Sequence, residues 1–145
     1  MSEHNEVTQE VLDERFIAHT LSLAQKGIYG TDPNPMVGCV LVKDQQIISE
    51  GWHEKAGQPH AERMAMANCK TDIRGSTAYI SLEPCCHQGR TPPCTDALID
   101  SGVTRVVAAM RDPNPMVAGG GFDVLRAAGI EVTEDVLKGL SLIHI

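Results

Sequence analysis

Residues 77–110 read TAYISLEPCCHQGRTPPCTDALIDSGVTRVVAAM, and their pattern of apolar and turn residues predicts most of the fold. The apolar run over 77–82 predicts a strand, and residues 83–93, rich in Pro, Cys, His and Gly, predict a loop. The stretch over 95–102 predicts a short helix that ends at a glycine. Residues 103–110 are nearly all apolar, which is typical of a strand buried on both faces of a sheet.

The chain on either side of this stretch continues the alternation of helices and strands. Helical spacing of apolar residues, good helix formers and short apolar runs mark the further elements. These are helices over 12–26, 60–69 and 122–129, hairpin strands over 36–42 and 47–52, and a strand over 130–132. This order implies a mixed sheet of about five strands with helices on both faces, which is a three-layer α/β/α sandwich.

The composition limits the classes of protein to which the chain can belong. Its 145 residues, 42% apolar and 21% charged, fit one globular domain. Twelve basic and nineteen acidic residues give a net charge of −7, and aromatics make up 3%, so nucleic acid is not an expected partner. No apolar run is long enough to cross a membrane, and residues 1–14 do not resemble a signal peptide. We therefore expect a cytoplasmic protein whose five cysteines serve metal binding or catalysis rather than disulfides.

Two short motifs supply residues that can bind a metal ion. Residues 60–62 read HAE, and Cys85 is followed by Cys94 after eight intervening residues. One His and two Cys suit tetrahedral zinc with the fourth position left to water, whose pKa falls from near 16 to about 7. Glu62, two residues after His60, is placed to carry that water's proton to a departing amine. This order of residues matches the zinc deaminase signature, H-x-E followed by P-C and a further Cys.

Less specific interpretations of the same residues remain open. The tripeptide HAE alone is more often a plain helix start, and two cysteines can be buried as small apolar side chains. A structural zinc needs a fourth protein ligand, which Cys86 or His87 could supply, although adjacent residues rarely reach the same ion. Cys39 and Cys69 fall on a predicted strand and a predicted helix, where packing in the core is the expected role.

The hexapeptide DPNPMV occurs twice, at 32–37 and 112–117. Two prolines within four residues stiffen a loop, and Asp and Asn favour turns. The two copies are either a pair of turns or two rigid loops that flank one site.

The loop between the cysteines is longer than the P-C-x-x-C of most zinc deaminases. Together with HAE, the segment LEPCCHQGRTPPC at 82–94 resembles the riboflavin-biosynthesis deaminases, the diaminohydroxyphosphoribosylaminopyrimidine deaminases. The resemblance covers about residues 12–138. It also takes in NPMVGCV at 34–40, EGWHEKAGQPHAE at 50–62 and RDPNPMVAGGG at 111–121.

The resemblance implies a cytidine-deaminase-like fold with one zinc ion per chain. Members of the family deaminate a small phosphorylated pyrimidine, 2,5-diamino-6-ribosylamino-4(3H)-pyrimidinone 5′-phosphate. By motif, His60, Cys85 and Cys94 are implied to be the zinc ligands and Glu62 the proton shuttle. The positions that resemble the family's substrate contacts are Asn34, His53, His87, Arg90, Asp112 and Asn114. Asparagine offers donors and acceptors to a pyrimidine edge, and Arg90 suits a phosphate, but each could also be a solvated loop residue.

We expect residues 1–139 to form one zinc-dependent deaminase domain. The last six residues, LSLIHI at 140–145, follow no earlier pattern and match the translation of an adapter sequence used in library preparation. They are therefore expected to be a non-native tail on a fragment of a longer protein. Bacterial members of the family carry a C-terminal reductase domain that uses NADPH, and we expect neither that domain nor NADPH here. A homo-oligomer is left open.

Two other functions compete with this expectation. Deaminases of another nucleobase or nucleotide, such as cytidine or deoxycytidylate, share the H-x-E motif and the zinc. A non-catalytic module would instead use zinc only to stabilise its fold. Loss of deamination on substituting Glu62 by Gln would separate an enzyme from such a module.

Overall fold

A five-stranded mixed sheet forms the middle layer of the structure, a computed structural model that describes residues 8–27, 36–55, 58–86 and 92–137. Within those residues the helices are α1 (Gln9–Ala24), α2 (Ala61–Asn68), α3 (Cys94–Ser101) and α4 (Gly120–Ala127), with a 3-10 turn (Gln25–Gly27) after α1. The strands are β1 (Gly38–Lys43), β2 (Gln46–Trp52), β3 (Thr77–Ile80), β4 (Arg105–Ala108) and β5 (Glu131–Thr133). None of these helices is long and apolar enough to cross a membrane.

The strand order of the sheet is β2-β1-β3-β4-β5. Strand β1 pairs antiparallel with β2 and β3, whereas β3 with β4 and β4 with β5 are parallel pairs. Parallel neighbours need a crossover, and α3 and α4 provide the two crossovers. The β1–β2 hairpin turns through Asp44 and Gln45, whose φ angles of 53° and 64° match the tight two-residue turn that joins hairpin strands.

The two faces of the sheet pack against different helices. Because side chains alternate along a strand, Cys39 and Leu41 of β1 face α2, α3 and α4, whereas Val40 and Val42 face α1. The helix residues buried on the first face are Ala61, Ala65, Leu98 and Leu125, and those on the second face are Ile17, Leu21 and Leu23. This arrangement confirms the three-layer α/β/α sandwich.

The predicted strands over 77–82 and 103–110 are longer than the regular ladder between β3 and β4. The ladder ends at the pair Ile80 and Ala108. Beyond it, the Ala109 N–H donates to the Ile80 carbonyl (3.1 Å) and the Glu83 N–H donates to the Met110 carbonyl (2.9 Å). The two segments therefore stay hydrogen-bonded, but they leave the sheet register as the first one enters the loop that carries the cysteines.

Helix α1 begins at Gln9, earlier than the predicted helix over 12–26. The Val11 N–H donates to the Thr8 side-chain oxygen (3.2 Å), so Thr8 caps the helix. Its first two residues, Gln9 and Glu10, are polar, and the apolar spacing that predicted the helix starts only after them.

A buried ion pair fastens α1 to the sheet. The two terminal guanidinium nitrogens of Arg105 donate to the Asp13 carboxylate (2.9 and 2.7 Å), and the Tyr79 hydroxyl donates to it as well (2.7 Å). Burial alone would raise the pKa of Asp13, but hydrogen bonds from Arg105, Tyr79 and Gln9 together hold that pKa below its ordinary value. Asp13 is only 4% exposed, so its charge depends on these partners.

We expect Asp13→Asn to lower the free energy of unfolding by about 3 kcal/mol at neutral pH, because it removes the buried counter-charge of Arg105 and leaves the exposed carboxylate of Glu131 as its partner. A carboxylate whose pKa is lowered by folding stabilises the protein above its unfolded-state pKa, and that contribution is lost as the pH falls through the folded value. Urea unfolding at several pH values should therefore show the difference between the wild type and the variant shrinking in acid. Glu14→Gln, at an exposed position of the same helix, is the control, with an expected change below about 0.5 kcal/mol. An equal difference at all pH values would contradict this account.

Candidate metal centre

His60, Cys85 and Cys94 come together from three separate parts of the fold. His60 is the N-cap of α2, Cys85 lies on the loop after β3, and Cys94 is the first residue of α3. The His60 Nδ1 lies 3.4 Å from the Cys94 sulfur and 3.9 Å from the Cys85 sulfur. The three candidate ligand atoms all lie within 4.8 Å of one another.

These separations and this donor set fit a zinc ion. Bonds of about 2.3 Å to sulfur and about 2.0 Å to nitrogen place the two atoms about 3.5 Å apart across a tetrahedral angle. The two nitrogen–sulfur distances, 3.4 and 3.9 Å, lie close to that value. Among the described residues, no further His, Cys, Asp or Glu joins the cluster. Catalytic zinc sites have three protein ligands, whereas structural sites have four.

The local hydrogen bonds favour a thiolate at Cys85. The Cys94 N–H, at the start of α3, donates to the Cys85 sulfur (3.2 Å). The Cys94 thiol, with the His60 imidazole and that N–H, lowers the pKa of Cys85 to about 4 against the opposing effect of burial. The pKa of Cys94 is raised, because its thiol donates to the Cys85 sulfur and is buried. These contacts therefore favour a negative charge on the Cys85 sulfur, which attracts a cation.

Glu62 is a buried carboxyl group beside this cluster. It is 3% exposed and lies in the first turn of α2. Burial raises the pKa of Glu62 to about 7, although its own backbone N–H and the charge of His60 act in the opposite direction. A carboxyl group with that pKa exchanges protons in both directions near neutrality, which is what a general acid and base needs.

Close packing against β2 fixes the position of α2. A Cβ atom at Gly51 would lie 2.5 Å from the Ala65 nitrogen, so only glycine lets the helix backbone approach the strand this closely. The Ser49 hydroxyl donates to the Ala65 carbonyl (2.6 Å) and holds the two elements together. This contact sets where the N-terminus of α2 presents His60 and Glu62.

The structure describes three of the six residues predicted to contact substrate. His53 is buried, with its Nδ1 3.2 Å from the Pro59 carbonyl and its ring edge-on to that of His60 at 5.2 Å. Its Nε2 has no hydrogen-bond partner among the described residues. Asp112 and Asn114 each accept a hydrogen bond from the backbone N–H two residues further on, so both also shape the turn that carries them.

The other three predicted substrate contacts, Asn34, His87 and Arg90, lie outside the described residues, as does the segment over 140–145. The first copy of DPNPMV, at 32–37, lies mostly outside them as well. Cys39 is fully buried in the core and Cys69 packs against the core, as predicted for both.

Comparison with known proteins identifies the family to which this fold and cluster belong. Residues 10–110 match the family described as the cytidine and deoxycytidylate deaminase zinc-binding region. The chain is also 48% identical over 120 residues to the diaminohydroxyphosphoribosylamino-pyrimidine deaminase of Buchnera aphidicola. The aligned region covers 83% of this chain and 82% of that protein. The chain belongs to the riboflavin-biosynthesis deaminases.

Longer relatives of this deaminase domain share the same fold. The chain is 58% identical over 123 residues to the riboflavin biosynthesis protein RibD of Haemophilus influenzae, covering 85% of this chain and 33% of that protein. It superposes on Acinetobacter baumannii RibD with a TM-score of 0.91 at 48% identity, covering 94% of this chain and 38% of that one. The chain therefore spans about a third of the length of the curated RibD relatives it matches. The resemblance inferred from residues 82–94 is confirmed.

Two residues that the sequence analysis did not single out help to shape the site of this deaminase chain. Arg63, next to Glu62, donates to the carbonyls of Pro92 (2.8 Å) and Pro93 (3.2 Å) and so holds the segment that leads into Cys94. Glu83, two residues before Cys85, accepts hydrogen bonds from four backbone N–H groups. Glu83 lies inside the motif at 82–94 and Arg63 directly follows the motif at 50–62, but neither shows its partners in the sequence because they are distant along the chain.

Proposed function

We propose that the chain catalyses the hydrolytic deamination of 2,5-diamino-6-ribosylamino-4(3H)-pyrimidinone 5′-phosphate, releasing ammonia. The observation that carries this proposal is the convergence of His60, Cys85 and Cys94 beside the buried carboxyl group of Glu62. Family membership supports the choice of substrate. The Buchnera relative is named for this deaminase activity, and the chain spans most of its length.

In this proposal His60 Nδ1 and the sulfurs of Cys85 and Cys94 hold one zinc ion per chain. Zinc bound there supplies a Lewis acid that lowers the pKa of a coordinated water to about 7. The carboxylate of Glu62 accepts a proton from water as the water oxygen attacks the ring carbon that bears the exocyclic amine. Glu62 passes that proton to the adjacent ring nitrogen, then takes the proton of the added hydroxyl and delivers it to the departing nitrogen, so ammonia leaves and a carbonyl replaces the amine.

Different residues are proposed to bind the base and the phosphate of the substrate. His53 supports this assignment because its Nε2 is buried and has no partner among the described residues, which leaves it able to bind a polar ligand. Asp112 and Asn114 keep one oxygen each in the turn, and their remaining polar atoms can face a ligand. Asn34, His87 and Arg90 complete the proposed set, with Arg90 suited to the phosphate.

A second candidate is deamination of cytidine or deoxycytidylate, which the description of the matched family favours. With the first candidate we also propose that the protein acts in the cytoplasm and that its partner is a small phosphorylated pyrimidine.

Ammonia release from zinc-loaded protein tests the two candidates directly. The protein is incubated separately with the pyrimidinone phosphate, with cytidine and with deoxycytidylate, and chelator-treated protein is the control. We expect release from the pyrimidinone phosphate, at a kcat/KM at least about a thousandfold above that for either cytosine compound, because a site built for one set of polar groups rejects analogues that lack them. Release from a cytosine compound alone would overturn the substrate while leaving the deaminase chemistry in place.

A further inference from the structure

Glu83 is a buried carboxylate whose two oxygens bind backbone N–H groups on a distant segment. One oxygen, Oε1, accepts from Asp112 N (2.9 Å) and Gly119 N (2.9 Å). The other, Oε2, accepts from Gly121 N (2.8 Å) and Phe122 N (3.3 Å). Glu83 is 6% exposed, so water does not compete for these bonds, and the first turn of α4 favours a negative charge at this place.

The bonds to Glu83 close the loop over 112–119 at both of its ends. Asp112 and Gly119 begin and end this loop, and they donate to the same carboxylate oxygen. The loop carries Asp112 and Asn114, two of the proposed substrate contacts. The side chains of Asp112 and Asn114 accept hydrogen bonds only from N–H groups of the loop itself, whereas Glu83 connects the loop to the segment that follows β3.

Glu83 also belongs to the segment that supplies a candidate metal ligand. Pro84 and Cys85 follow it directly, and a Cβ atom at Gly121 would collide with the Pro84 carbonyl. The absence of a side chain at Gly121 therefore allows the start of α4 to lie directly on the ligand-bearing loop. The two loops therefore meet at the Glu83 carboxylate, at the close approach of Gly121 to Pro84, and where the Cys86 sulfur lies beside Gly120.

An open cavity lies along the line where these loops meet. Its volume is about 350 Å³, which falls in the range of small-molecule sites. Its lining consists of Cys86, Met116, Val117, Ala118, Gly120 and Asp123. One wall therefore comes from the residue after Cys85, and the opposite wall comes from the 112–119 loop and the start of α4.

We propose that Glu83 is a positioning residue that sets the 112–119 loop at a fixed place relative to the metal ligand Cys85, and thereby determines how tightly substrate binds. The proposal rests on the proposed function for the substrate, but the fixing of the loop is independent of it. Glu83 touches backbone N–H groups rather than reacting atoms, so its removal should weaken substrate binding more than it slows the chemical step.

Glu83→Gln tests this role with little change in side-chain volume. It replaces one acceptor oxygen with an NH₂ group, which cannot accept hydrogen bonds from the N–H donors that it faces. In the zinc-loaded protein we expect KM for the pyrimidinone phosphate to rise about tenfold or more, the factor typical of a lost hydrogen bond to a charged group. The kcat should stay within about threefold and bound zinc should be unchanged. Hydrogen exchange at the amides of Asp112, Gly119 and Gly121 should become at least about tenfold faster. Glu14→Gln, at an exposed position of α1 on the other face of the sheet, is the control.

Gly121→Ala provides a second route to the same result while keeping the Glu83 carboxylate in the chain, because its methyl group would collide with the Pro84 carbonyl and crowd the Glu83 side chain (3.2 Å to Cγ). We expect the same rise in KM and the same faster exchange. The proposal is overturned if the exchange rates and KM of Glu83→Gln match those of the wild type, if only the melting temperature falls, or if zinc is lost before KM changes. If the wild-type protein deaminates none of the tested compounds, the proposed function fails, while the exchange rates and the zinc content still decide whether Glu83 holds the loop.

Discussion

We expect Glu62→Gln to lower deamination of the pyrimidinone phosphate about a thousandfold while zinc stays bound. The variant keeps the size of the side chain in its buried place but removes the group that accepts and returns a proton, and such groups contribute about 10²–10⁴-fold. Because Glu62 is not one of the three proposed ligands, the metal content should not change. Ammonia release under saturating substrate, together with zinc content after desalting, gives both quantities.

Glu10→Gln is the control for this experiment, since Glu10 is an exposed acidic residue in the first turn of α1. It should leave both the rate and the zinc content unchanged. Full activity of Glu62→Gln with zinc bound would show that Glu62 is not the proton shuttle. If neither protein releases ammonia and both bind zinc, the alternative of a non-catalytic module would be favoured.

Cys94→Ser should remove both the metal and the activity. A serine hydroxyl is not deprotonated at neutral pH and does not replace a thiolate as a zinc ligand. The side chain is 1% exposed, and serine is close to cysteine in size, so the fold should survive the change. We expect zinc affinity to fall at least about a hundredfold and ammonia release to fall to the level of chelator-treated protein.

Cys86→Ser is the matched control, because Cys86 is adjacent to the proposed ligand Cys85 but does not belong to the converging set. It should retain its zinc, which a chromogenic chelator can measure under denaturing conditions. Loss of zinc from Cys86→Ser would mean that a fourth protein ligand closes the site, and the catalytic assignment would then be wrong. Zinc retained by Cys94→Ser would contradict the ligand set itself.

The spacing of residues was enough to predict which side chains converge. One histidine precedes a helix, one cysteine begins another helix, and a second cysteine follows a strand. Once these three elements pack together, the three side chains have little freedom to lie apart. The same holds for the two faces of β1, where the alternation of Cys39, Val40, Leu41 and Val42 decides which layer each contacts.

The buried charged residues could not be predicted in this way. Asp13 stands in a polar helical turn where an exposed position is the ordinary expectation, and its partner Arg105 lies 92 residues further on. Glu83 binds N–H groups between 29 and 39 residues away. Neither partnership leaves a local pattern, because backbone donors are present at almost every residue and only the folded chain selects among them.

The division of the sheet into two faces has a practical consequence for engineering. The residues proposed for catalysis are presented from the side that carries α2, α3 and α4, while α1 covers the reverse side through Ile17, Leu21 and Leu23. Thermostable variants can therefore be sought in the α1 layer with little effect on turnover. The strands of the sheet separate that layer from the residues proposed for catalysis, so a substitution there can affect the reaction only through those strands.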